Sequence, residues 1–204
     1  MRLIVASANP GKLREIRRIL DFQSLEVVSM ADAGFTGDIE ETGETFEENA
    51  FLKARAIAAR YPADLVLADD SGLEVEALGG EPGVRSARYA GENATTGQKI
   101  DKLLRALKEV PTESRGARFV CTMALVRPGG EVVSTGECRG RIAETSRGEN
   151  GFGYDPVFLV ADRDYRLTMA ELPEDEKNTL SHRRRALDGM KEMLGKILAG
   201  GFGK

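Results

Sequence analysis

Apolar positions along the chain follow two rhythms, a period near 3.6 in some windows and short continuous or alternating runs in others. "RLIVAS" (2–7) is an apolar run that ends in small polar residues and reads as a strand. In "PGKLREIRRIL" (10–20), Leu13, Ile16, Ile19 and Leu20 fall at helical spacing. "LEVVSM" (25–30) predicts a second strand. Over 45–61 the stripe is Phe46, Ala50, Ala54, Ile57, Ala58 and Tyr61, with Thr45 and Glu48 spaced as a capping box at its start. "DLVLAD" (64–69) and "GLEVEAL" (72–78) read as extended, and the glycine-rich 79–91 cannot be regular throughout. Ile100, Leu103, Leu104, Leu107 and Val110 predict a helix over 98–110. "ARFVCTMALVR" and "EVVSTGECRGRI", joined through Pro128-Gly129-Gly130, predict a hairpin. If Gly129 and Gly130 are its turn residues, Cys121 faces Cys138 across the ladder. "GFGYDPVFLV" (151–160) approaches another strand, and Ala186, Leu187, Met190, Met193, Leu194, Ile197 and Leu198 mark a C-terminal helix. Helices alternating with strands, then a long hairpin, imply an α/β fold with a mixed sheet flanked by helices.

One strand-like run carries an anomaly. "LVLADDSGLEV" (65–75) sets Asp69 and Asp70 side by side at the end of a segment that looks buried. Successive strand residues point to opposite faces, so both can serve one face only if the strand has ended. On that reading Asp69 caps the Ser-Gly turn and Asp70 is a ligand candidate at a strand's carboxyl end, where open sheets place ligands. The acidic run "DIEETGE" (38–44) joins it as a further source of carboxylates, or is a solvated loop.

Composition narrows the chemistry. With 204 residues, 41% hydrophobic and 30% charged, the chain is sized for one compact unit. A formal net charge of -4 disfavours bulk nucleic-acid binding, which needs an excess of Lys and Arg. No window approaches the roughly 18 apolar residues of a membrane span, and Met1 to Val5 lacks the apolar core of a secretion signal, so a cytoplasmic protein is expected. Cys121 and Cys138 lack metal-ligand spacing and suit small buried side chains. Oxygen ligands in the absence of a thiolate or histidine set favour Mg²⁺ over zinc.

Cationic candidates complement the carboxylates. "SANPGK" (7–12), between a strand end and a helix start, can place free N–H groups and Lys12 around an anion, or be a plain turn with a solvated lysine. It is not a Walker loop. Lys53 projects onto the apolar stripe of its helix, where it either snorkels or reaches a polar cavity. "FGYD" (152–155) and "KNTLSHR" (177–183) offer aromatic rings, Asp155, the sole histidine His182, and Arg183. As a heterocycle site they combine a stacking face with donors, which suit a 6-keto purine and leave a 6-amino group badly paired. The alternative is a structural histidine and a wet basic helix face.

"SANPGKLREI", "EETGETFEENAFLKA", "LADDSGLEVEALGGEPGVRSARYAG", "GFGYDPVF" and "TMAELPEDEKNTLSHRRRAL" closely resemble, in order, the motif blocks of the inosine triphosphate pyrophosphatase family. The resemblance runs from Ser7 to Leu187. It implies a two-lobed α/β domain over 1–204, with a long mixed sheet and an active-site cleft between lobes. The activity implied is Mg²⁺-dependent hydrolysis of dITP, ITP and XTP to the monophosphate and pyrophosphate, by a cytoplasmic homodimer; the charge balance and hydropathy above lead to the expectation of no nucleic-acid or membrane partner. By motif, Ser7, Ala8, Asn9, Pro10, Gly11 and Lys12 cradle the triphosphate and Lys53 adds positive charge. Asp70 binds metal and serves as general base, and Ser71 contacts substrate. Glu41 is the second metal carboxylate, with Glu40 the neighbouring alternative. Phe152, Gly153, Tyr154, Asp155, Lys177, His182 and Arg183 line the base. Competing classes are a phosphohydrolase releasing orthophosphate and a nucleic-acid module using Arg183 to Arg185.

Overall fold

The computed structural model describes residues 1–7, 9–37 and 39–200; Ala8, Asp38, the last four residues and the side chain of Pro10 lie outside the described set. The expected contacts of Ala8 and Pro10 with a triphosphate, and the Asp38 end of the acidic run, therefore fall outside it.

Six strands form one sheet in the order β2-β1-β3-β4-β5-β6. Strand β1 (Arg2–Val5) lies parallel to β2 (Glu26–Ser29) and to β3 (Leu65–Val75), with Val5 opposite Leu67. Strands β4 (Gly116–Arg127) and β5 (Gly130–Ile142) form the hairpin, and β6 (Phe158–Val160) runs antiparallel to β5. The helices are α1 (Pro10–Ile19), α2 (Phe46–Ala58), α3 (Thr96–Ala106), α4 (Glu174–Leu180) and α5 (His182–Leu198). Capping boxes start α2, from Thr45 and Glu48, and α3, from Thr95 and Gln98. Each box satisfies amides that a helix start leaves without intrahelical partners.

The chain gathers into two compact units. One comprises Met1–Asp70, Cys121–Gly136 and the chain from Arg185; the other comprises Ser71–Val120 and Glu137–Arg184. In the first, sheet alternation builds two cores. Leu65 and Leu67 pack with Ile16 and Leu20 at α1 and Leu187 and Met190 of α5, while Val66 and Ala68 pack with Ala50, Ala54 and Ile57 of α2. The second unit has a core of its own around Leu73, Val75, Leu103, Phe119, Phe158 and Leu172.

Two sequence expectations are corrected. Strand β3 does not stop at Asp69 but continues unbroken to Val75. It ladders with β1 as far as Leu67 and has β4 as its other neighbour, and it stays extended through Asp69, which caps no turn. The hairpin turn is Pro128-Gly129, with Gly129 at φ +80, the left-handed position that a type II turn requires after proline. Gly130 already belongs to β5, so the turn sits one residue earlier and every cross-strand partner moves by two. The Thr122 and Thr135 hydroxyls, 3.2 Å apart, fit that register, so Cys121 opposes Gly136 instead of Cys138. Both cysteines are buried thiols, and they lie in different cores.

Candidate active site

Because β3 stays extended, Asp69 and Asp70 point to opposite faces, and each meets the helix that covers its face. Asp69 shares parity with Leu65 and Leu67, the α1 side, and accepts from Lys12 Nζ at 2.7 Å. Asp70 shares parity with Val66 and Ala68, the α2 side. There its Oδ2 accepts from Asn49 Nδ2 at 3.1 Å, and its Oδ1 lies 3.5 Å from Lys53 Nζ. Asp69 and Asp70 are 7% and 9% exposed. Carboxylates this buried lose several kcal/mol of hydration each and require such partners.

Lys53 also donates to Glu41 Oε1 at 2.6 Å, so one ammonium lies between Glu41 and Asp70. Glu40, the alternative carboxylate, is exposed. Burial lowers the Lys53 pKa, but Asp70 first and Glu41 next outweigh it and hold the ammonium above the usual lysine range. Asn49 is fully buried, and its Oδ1 accepts from Gly43 N–H at 2.8 Å. No side chain fits at Gly43, where a Cβ would lie 2.7 Å from Glu48 Cβ and 2.8 Å from Asn49 Oδ1.

The start of α1 caps itself. Asn9 Oδ1 accepts from Gly11 N–H at 2.8 Å and Lys12 N–H at 3.3 Å, and Asn9 N–H donates to Ser7 Oγ at 3.2 Å. Strand β1 ends opposite Leu67, so Asp69 lies just past its carboxyl end. Ser71, half-buried, follows Asp70 on β3.

The remaining predicted residues belong to the second unit. Asp155 is buried and accepts from Phe152 N–H at 2.9 Å and from Lys177 Nζ on α4. The Phe152 ring is 65% exposed, and Lys177 Nζ stands 4.8 Å from its centroid, a cation–π contact. Gly151, at φ +88, admits no Cβ, which would lie 2.3 Å from Asp155 Oδ2 and 2.5 Å from Lys177 Nζ. Gly153 is also left-handed, at φ +61. Tyr154 is instead a core residue. Its hydroxyl donates to Ser86 O at 3.0 Å, and burial, then Tyr89, pushes its pKa well up. His182 opens α5 and stacks on Phe119, with ring centroids 5.1 Å apart and planes 20° apart. Arg183 follows it in the first turn, half-buried.

Sequence reasoning missed Asn49 and the Lys12–Asp69 pair. The available signal for Asn49 was its place four residues before Lys53, which puts both polar groups on one edge of the α2 stripe.

Residues 3–193 match the profile of the Ham1 family. The chain belongs to the Ham1 family. Among its relatives in that family is the dITP/XTP pyrophosphatase of Bacillus subtilis (strain 168), 51% identical over 192 residues, which are 94% of this chain and 96% of that protein. The dITP/XTP pyrophosphatase of Geobacter sulfurreducens is 51% identical over 95% of this chain and 96% of its own length. Among solved structures, the Staphylococcus aureus Ham1 protein superposes with a TM-score of 0.89 at 43% identity, covering 97% of this chain and all of that one. The Mycobacterium abscessus nucleoside-triphosphatase / dITP/XTP pyrophosphatase gives 0.81 at 44% identity, covering 93% of this chain and 98% of that one. The mixed sheet with flanking helices is thus a Ham1 fold.

Among the described residues, no group of three or more His, Cys, Asp or Glu side chains is arranged to hold a metal. Two carboxylates do converge on one cation, the Lys53 ammonium. That donor set fits Mg²⁺, which keeps several waters and takes one or two carboxylates plus substrate phosphates in preference to an all-protein cage. No helix among the described residues is long and apolar enough to cross a membrane.

Proposed function

We propose that the chain hydrolyses non-standard purine nucleoside triphosphates, dITP, ITP and XTP, to the monophosphate and pyrophosphate, with Mg²⁺ as cofactor. The observation that carries this reading is the ion-paired cluster at the end of β1 and in mid-β3: Lys12 on Asp69, and Lys53 between Glu41 and Asp70. Two cations and three carboxylates leave the cluster one charge negative. A metal–triphosphate complex meets both signs at once. Asp70 and Glu41 would hold the metal, and Lys53, which they release, would turn to the phosphates together with Lys12 from Asp69. Bound there, Mg²⁺ would neutralise charge on the departing pyrophosphate and acidify a water.

The chain's own groups supply the rest. Lys12 and Lys53 stabilise the charge that develops on the leaving pyrophosphate, in a site whose carboxylates are already dehydrated. Asp70 orients the attacking water and takes its proton, its own orientation fixed from α2. The first turn of α1 offers amide donors once Asn9 releases them.

The second unit reads the base. Phe152 provides an exposed stacking face, and Asp155 holds Lys177 beside it. Lys177, Arg183 and His182 donate to keto oxygens, whereas the 6-amino group of adenine, itself a donor, leaves such a group unsatisfied at a penalty of about 1–3 kcal/mol. Residues 1–204 act as one catalytic domain, in a cytoplasmic homodimer.

A panel of ITP, dITP, XTP, ATP and GTP with Mg²⁺ and pyrophosphate detection tests the reading. Turnover of the first three with pyrophosphate release is expected. Orthophosphate release would favour a different phosphohydrolase, and absence of turnover with salt-dependent DNA binding would favour a nucleic-acid module.

A further inference from the structure

Asn49 is the most completely buried polar group of the first unit's cluster, and both ends of its amide are used. Oδ1 accepts from the Gly43 N–H at 2.8 Å, and Nδ2 donates to Asp70 Oδ2 at 3.1 Å. Only one amide orientation allows this, because the backbone N–H needs an acceptor and the carboxylate needs a donor. Gly43 lies two residues after Glu41, in the segment that leads into α2, and it contacts Asn49 so closely that no Cβ fits. One side chain therefore ties the backbone beside Glu41 to the carboxylate of Asp70. An aspartate could not donate, and a serine is too short to span the two.

We propose that Asn49 is a positioning residue that sets the distance and rotamer relation between Asp70 and Glu41, and so determines how tightly the pair binds the metal accompanying the triphosphate. The inference rests on the proposed pyrophosphatase reading. Outer partners of metal-binding carboxylates orient their ligands, and losing one typically weakens metal affinity or activity about 10–100-fold.

The test is calorimetric binding of α,β-imido-inosine triphosphate, a non-hydrolysable probe, with and without Mn²⁺. Wild type should bind it more tightly with metal, and that metal-dependent gain should fall about 10–100-fold in Asn49→Ala, with metal-free binding changed little. Merely structural damage would weaken both states alike and leave the gain intact, and this result would overturn the proposal. Should Asn49→Ala fail to fold, Gly43→Ala strains the same contact from the loop side and should reduce the gain in the same sense; an undiminished gain there would equally overturn it. A wild type that shows no metal-dependent gain would refute the pyrophosphatase reading itself, an outcome distinct from a normal wild type with an unaffected variant.

Discussion

Lys12, Lys53, Asp69 and Asp70 are mounted on helices and a laddered inner strand, whereas Phe152 and Asp155 sit on an irregular, glycine-rich segment before β6. The first group is made of full charges, each buried or half-buried and each engaged by an opposite charge. In the second, Asp155 pairs with Lys177 beside an exposed ring. On the proposed reading, the difference follows from the task. Fixing charge against a polyanion needs rigid placement, because charge stabilisation depends on donors that need not reorganise. Recognising a flat heterocycle needs a stacking face and a few donors, which a turn held by left-handed glycines can present.

The contrast predicts that damage to the first group removes chemistry, and damage to the second removes selectivity. Asp70→Asn should lower kcat on the order of 10²–10⁴-fold while sparing metal-free substrate binding. Stopped-flow pyrophosphate release together with calorimetric binding checks both halves, and near-normal kcat would take Asp70 out of the chemistry. Lys53→Met, which retains the stem but not the charge, should reduce kcat by about 10²–10³-fold for every substrate alike, as measured by steady-state kinetics on ITP and ATP. A selective loss with one base would blur the division.

Smaller effects belong to the second unit. Arg183→Ala and Lys177→Ala should each narrow the ITP-over-ATP preference by about 1–3 kcal/mol, read as the ratio of kcat/KM values. An unchanged ratio would show that the base is read elsewhere. Gly151→Ala, which pushes a methyl against Asp155 and Lys177, should give the mildest change, a several-fold rise in KM for ITP with kcat nearly constant. A fall in kcat as large as that of Lys53→Met would contradict the division of labour.

How legible these features were follows from the physics. Helices α1, α2, α3 and α5 showed in the 3.6 period because each buries one stripe, and the capping box at Thr45 fixed the start of α2. The family resemblance gathered Lys12, Lys53, Glu41 and Asp70 as one site, and the first unit brings Glu41 and Asp70 each onto Lys53. Continuation of β3 through Asp69 and Asp70 was not legible, because Ser-Gly after two aspartates has every local mark of a turn. Past the end of β1 the sheet context beside β4 overrode that preference. For the same reason Asp69 was read as a cap and its pairing with Lys12, 57 residues away, was invisible. Tyr154 looked like a stacking ring, but its hydroxyl has a carbonyl partner inside the core, a contact set by tertiary structure alone.

Proton and oxygen traffic at the α-phosphorus is the most direct check on the role given to Asp70 and the two lysines. A single turnover of ITP with Mg²⁺ in ¹⁸O-labelled water, followed by mass spectrometry of the products, should give inosine monophosphate carrying one solvent oxygen and unlabelled pyrophosphate. Label in pyrophosphate, or labelled orthophosphate as the first product, would contradict it.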